Sequence, residues 1–191
     1  MKEEIKVEDL LQKLDALEPG SAIALKFDIE AYFDVITTIT DDFVDENTMN
    51  VIYETSTIPA DSILDLLKAL EVPMDPINFV DAVSYMTMGA AGKAAGVTFV
   101  ESPTMLENIM LKIEYLLKKN PSEENTVVLD SINSLAIHNN SNILAEFLHI
   151  LISSLRSYDC YTIILSVAQQ ESEEIDNILA MVCDDIIKVT R

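Results

Sequence analysis

Arginine is nearly absent from this chain, with Arg156 and Arg191 its only two examples. All told, 12 basic residues face 33 acidic ones, and the formal net charge is −21. Phosphate backbones are bound by clustered Lys and Arg, so this balance argues against nucleic acid as the main partner. It argues against an anionic membrane surface for the same reason. The acidity itself has two readings: solubility in a salty cytoplasm, or an acidic face for docking a partner. Cysteine is also scarce. Cys160 lies in DCYTIILSV and Cys183 in ILAMVCDD, apolar settings that predict buried free thiols rather than a disulfide. No apolar run reaches the about 18 residues of a membrane span. The opening MKEEIKVEDLL is charged and amphipathic, without the apolar core of a signal peptide. These absences predict a cytoplasmic protein with no membrane association.

What is present is aliphatic. Hydrophobic residues make up 49% and aromatics only 6%, so Ile, Leu and Val must fill the core, and such a composition argues against disorder. A chain of 191 residues supports one core of ordinary size. The expected organisation is a single domain over 1–191, with residues 1–18 an amphipathic helix preceding the core.

Apolar periodicity divides the chain into alternating elements. Val7, Leu10, Leu11, Leu14 and Leu17 predict a helix over 5–17, stopped by Pro19-Gly20. Strands are expected at 21–27, 49–54, 77–83, 97–100, 126–129, 161–167 and 184–190. Helices are expected at 29–44, from Pro59 to about 70, from Ser102-Pro103 to Lys118-Lys119, over 141–156, and around 175–182. Several strands are apolar on both faces, as in a parallel sheet covered by helices on both sides. The predicted fold class is therefore α/β, a three-layer sandwich with a mostly parallel central sheet. Ligands in such sheets bind at the carboxyl ends of strands, here just after Phe27, Glu54, Val83, Leu129 and Val167.

The segment TVVLDSINSLAIHNN, with an apolar strand running into Asp130-Ser131, resembles the Walker B strand of the RecA/KaiC ATPase superfamily. INFVDAVS, VTFVESPTMLENIMLKIEYLL, NILAEFLHILISSL, YTIILSV and DDIIKV come in the order of a KaiC-like core. The likeness spans about residues 20–190 and is greatest to archaeal KaiC-like proteins. It implies a RecA-like, P-loop-NTPase core. In active relatives the first core strand runs into a Gly-x-x-x-x-Gly-Lys-Ser/Thr loop whose N–H groups cradle phosphates. Here that position reads Phe27-Asp28-Ile29-Glu30-Ala31-Tyr32-Phe33-Asp34. It has no glycine and no lysine, and three carboxylates stand where phosphate would lie, at a like-charge cost of kcal scale. The paired glutamates of active relatives are replaced by Glu54-Thr55-Ser56-Thr57. With two arginines in all, Arg156 is the candidate for a finger reaching across a subunit boundary.

Asp130, Ser131, Glu54, Gln169 and Asp28 form the candidate ligand site, vestigial if the phosphate loop is lost. Asp130 is also the candidate metal ligand, if there is one. Gly89–Gly96 is glycine-rich but has the wrong spacing for a phosphate loop, and reads as a connection or a mobile lid. His149 reads as a core or interface residue of a long apolar helix, and His138 as solvated in a polar loop. Met74, Met86 and Met88 offer adaptable packing or a soft partner surface. No catalytic triad and no zinc spacing are present.

Two functions of different classes fit these residues. The first is a non-catalytic pseudo-ATPase, an oligomer-forming interaction or regulatory module needing no cofactor. Its partner would be a protein, a second copy of itself or an active KaiC/RecA-like paralogue. The alternative is a nucleotide- or small-molecule-binding protein using Asp130 and Glu54 with ATP and Mg²⁺ at the strand ends.

Overall fold

A computed structural model describes residues 2–88, 95–119, 124–170 and 172–191. Among these described residues eight strands form one sheet: β1 (Lys2–Lys6), β2 (Ala22–Phe27), β3 (Asn50–Thr55), β4 (Ile77–Asp81), β5 (Val97–Phe99), β6 (Asn125–Asp130), β7 (Tyr161–Val167) and β8 (Asp185–Thr190). Their spatial order is β1-β8-β2-β7-β6-β3-β4-β5, and every pairing is parallel. The central strands are buried along their length, as the mostly apolar runs IALKF and YTIILSV predict.

Helices cover both faces. On one face lie α1 (Leu10–Asp15), α2 (Tyr32–Thr37), α3 (Val44–Asn47) and α4 (Ala60–Ala69), with a π-helical turn at Thr38–Phe43 between α2 and α3. Leu10, Leu14, Val35, Ile36, Ile63 and Leu67 pack there against Leu25, Val51, Tyr53 and Val128. A short α5 (Ser84–Met88) comes after β4. On the other face lie α6 (Leu106–Lys119), α7 (Ile132–His138), α8 (Ser141–Arg156) and α9 (Glu173–Val182). Ile109, Ile113, Leu144, Leu148, Leu151 and Leu179 pack there against Ile52, Val127, Leu129 and Ile164. The fold class is the expected three-layer α/β architecture. Among the described residues no helix is long and apolar enough to cross a membrane.

Three local expectations need correction. Residues 2–6 are an edge strand in register with β8, from Lys2 opposite Ile186 to Lys6 opposite Thr190, and not the start of a helix. Helical spacing holds only from Leu10 onward. Before it, Ile5 on β1 and Val7 on a 3₁₀ turn (Val7–Asp9) pack on the core, and β1 satisfies a backbone edge that β8 would otherwise expose. The expected helix over 29–44 is really a 3₁₀ turn (Ile29–Ala31), α2, the π turn and α3. The polar loop expected to begin at His138 is shorter than expected, because His138 is the last residue of a helix, α7, and Ser141 already begins α8.

Candidate functional site

β6 ends on Asp130, and the chain turns into α7 through a cis Asp130–Ser131 peptide. The Ser131 hydroxyl caps α7 by accepting from the Ser134 N–H at 3.4 Å. Asp130 is fully buried. Its Oδ2 accepts hydrogen bonds from the Tyr53 hydroxyl at 2.7 Å and from the Tyr32 hydroxyl. The Thr57 hydroxyl lies 3.4 Å from its Oδ1 and 3.3 Å from Ser131 Oγ, and its single proton serves one of the two. The Asp130 carbonyl accepts from the Ser56 N–H at 2.8 Å. Burial raises the Asp130 pKa, while the Tyr32, Tyr53 and Thr57 donors oppose the rise. Burial first, then the neighbouring Asp130 charge, raise both tyrosine pKa values. Both phenols therefore stay protonated and act as donors.

Tyr32 reaches Asp130 because of the turn that β2 runs into. The chain passes through Asp28 into the 3₁₀ turn, where the Ala31 N–H donates to the Asp28 carbonyl at 2.8 Å. The Ile29 N–H donates to Gln169 Oε1 at 3.1 Å, and Gln169 Nε2 donates to Asp28 Oδ1 at 3.1 Å. Two leading N–H groups of the turn are thus already engaged within the protein. Asp28 and Glu30 are exposed, Asp34 pairs with Arg191 at 2.9 Å, and Tyr32 points inward, 6% exposed.

Glu54 sits elsewhere. Tyr53 lies on the Asp130 side, so by strand alternation Glu54 projects from the opposite face. It is fully buried, and neither carboxylate oxygen has a hydrogen-bond partner among the described residues. Burial pushes its pKa well above the ordinary glutamate value, reinforced by the charges of Asp130 and Asp81 and opposed only by the nearby Asp130 main chain. Asp81, equally buried, shows the contrast. Its carboxylate accepts from the N–H groups of Ala60, Val83 and Ser84 at 2.8, 2.9 and 2.8 Å and from the Ser84 hydroxyl at 2.6 Å.

The five candidate residues therefore occupy three places. Asp130 and Ser131 share one hydroxyl cluster, Asp28 and Gln169 form an exposed clamp, and Glu54 lies alone across the sheet. Tyr32, Tyr53, Thr57 and Asp81 were not singled out by sequence. A signal existed for Tyr53: a tyrosine inside a strand that is to be buried on both faces needs an acceptor for its hydroxyl. Arg156 lies at the other end of the sheet, where it pairs with Asp184 at 2.7 and 2.8 Å and donates to the Gly20 carbonyl at 3.3 Å. His149 is exposed on α8 and not in the core, and His138 is exposed. Cys160 is buried, Cys183 is half-buried, and both are free. Met86 is exposed beside Ser102. The glycine-rich segment at 89–94 and the Met88 side chain lie outside the described residues.

An all-parallel sheet with helices on both faces is a three-layer α/β core, and here it has a RecA/KaiC-like fold. Solved structures carry the same architecture. The KaiC-like protein PH0186 of the hyperthermophilic archaeon Pyrococcus horikoshii OT3 matches with a TM-score of 0.65 at 15% identity, covering 100% of this chain and 81% of that one. The flagellar accessory protein FlaH of Methanocaldococcus jannaschii matches at 0.60 and 12%, covering 96% and 77%. The uncharacterized Pyrococcus horikoshii protein PH0321, solved with an unknown peptide, matches at 0.66 and 12%, covering 96% and 84%. At these identities the likeness is one of fold. No family model matches the sequence, and no curated protein matches it.

Proposed function

We propose that this chain is a non-catalytic RecA/KaiC-like domain, a pseudo-ATPase that serves as an interaction or regulatory module. One observation carries the reading: the Tyr32 hydroxyl, on the turn that stands in the phosphate-loop position, donates to Asp130. A metal ion on Asp130 would have to displace the tyrosine hydroxyls from a carboxylate with no exposed surface. A triphosphate after β2 would meet Asp28 and Glu30 and find the N–H groups of Ile29 and Ala31 already bonded. These residues do not fit ATP and Mg²⁺. The module would act by assembling with itself, with an active paralogue or with another protein. The half-exposed Ile29 and Phe33 beside the turn, each 52% exposed, suit such a contact.

The alternative, a Mg²⁺-dependent ligand site joining Asp130 and Glu54, draws support only from the unsatisfied carboxyl of Glu54. Its two acids lie on opposite faces of the sheet. Calorimetric titration with ATP and Mg²⁺, beside a measurement of mass in solution, separates the readings. The module reading expects no saturable nucleotide binding and a mass unchanged by nucleotide. Micromolar binding with turnover would overturn it.

A further inference from the structure

The two edges of the sheet are built differently. The β1 edge reads Lys-Glu-Glu-Ile-Lys, a charged edge of the kind that discourages further strand pairing. The β5 edge reads Val-Thr-Phe and carries no charge. The β5 ladder is anchored through the Gly96 carbonyl, which accepts from the Phe79 N–H at 2.8 Å, and the Val100 N–H, which donates to the Asp81 carbonyl at 2.8 Å. Backbone groups alternate sides along a strand. Gly96, Thr98 and Val100 therefore face β4, and the N–H and C=O groups of Val97 and Phe99 face outward. Beside this edge runs a groove of about 430 Å³ lined by Phe99, Val100, Asn108, Leu111 and Tyr115, with Glu101 and Lys112 also on its wall. Leu111 and Tyr115, four residues apart on one face of α6, are 58% and 64% exposed.

We propose that the β5 edge, whose outer side pairs with no strand among the described residues, and this groove are a docking site for an extended segment of a partner protein. The segment pairs its main chain with Val97 and Phe99 and places an apolar side chain against Leu111 and Tyr115. Alternate residues of the segment face outward. Against a chain of net charge −21, basic residues are favoured there. The same charge disfavours a second copy as occupant. The site is independent of the nucleotide question, since β3 and β4 separate β5 from Asp130.

The test pans a random peptide library against the full chain. Synthetic consensus peptides are then titrated by fluorescence anisotropy against the wild type, Leu111→Asp, Tyr115→Asp and the control Ile150→Asp on exposed α8. The expected consensus alternates apolar and basic residues. Tyr115→Asp and Leu111→Asp should each weaken binding about tenfold or more, while Ile150→Asp leaves it unchanged. N-methylation of the peptide should abolish binding at every second residue and be silent between. All three positions are exposed, and an unchanged melting temperature verifies that each variant folds. The proposal is overturned by a library with no alternating consensus, by binding that ignores Leu111 and Tyr115, or by indifference to N-methylation. Self-association of the wild type lost in Tyr115→Asp would overturn it in favour of a second copy.

Discussion

Asp130 and Glu54 are two fully buried carboxyls on neighbouring strands, offset by one residue in register, since Asp130 pairs with Thr55 and Glu54 with Leu129. One is surrounded by hydroxyl donors and the other has none among the described residues. The difference lies in what covers each face. On the Asp130 side, α2, β3 and the loop after β3 supply Tyr32, Tyr53 and Thr57. The Glu54 side is lined by aliphatic residues such as Ile52, Val80 and Leu129. A buried carboxyl is tolerable either when donors replace water or when it keeps its proton. This protein uses both solutions within one sheet.

Three substitutions put that contrast at risk, and the largest effect belongs to the saturated acid. Asp130→Ala leaves two buried phenols without their acceptor, at roughly 1–3 kcal/mol each, besides a cavity. Chemical denaturation should show a loss of about 3 kcal/mol or more, and a near-neutral result would mean that Asp130 is not held as described. Tyr53→Phe removes one donor from a carboxylate and should cost about 1.5–3 kcal/mol. It should also raise the Asp130 pKa further, visible by carboxyl NMR titration. Glu54→Leu should have the opposite sign. The fold keeps Glu54 protonated above the ordinary value of 4.5, so as pH rises past that value the unfolded chain releases its proton first. Stability contributed by the neutral carboxyl is complete below pH about 4.5 and falls as pH climbs toward the folded-state value. Replacing it by leucine should stabilise the protein at neutral pH by up to about 1–3 kcal/mol and flatten the decline of melting temperature from acidic to neutral pH. A Glu54→Leu protein that is less stable than wild type at neutral pH would show that Glu54 has a partner and erase the contrast.

Much of this fold is legible in the chain. The strand at 161–167 and the helix at 141–156 arise from apolar period and capping residues, and the strand expected at 77–83 is present but ends at Asp81. Asp130 at a strand end and a turn without glycine or lysine are equally plain in Leu129-Asp130-Ser131 and Phe27–Asp34. Other elements were hidden because their signals are short or composite. β1 holds only one apolar residue, Ile5, and forms because β8 offers it an edge. The segment 29–47 changes helix type three times under one apolar period. α7 begins at a serine cap whose preceding residue reads as strand. The clustering of Tyr32 with Asp130 joins residues 98 positions apart, and no local pattern marks it.

Composition and apolar period were enough for the alternation of strand and helix, the parallel sheet, the acidic balance, and the absence of glycine and lysine just after β2. These are local properties, acting between near neighbours in the chain. Folding in three dimensions was needed to set Asp130 and Glu54 on opposite sides, to close Tyr32 and Tyr53 over one of them, and to make β5 the outermost strand, beside Leu111 and Tyr115. Those outcomes depend on strand order and register, which bring together side chains from distant segments and fix which face each one sees.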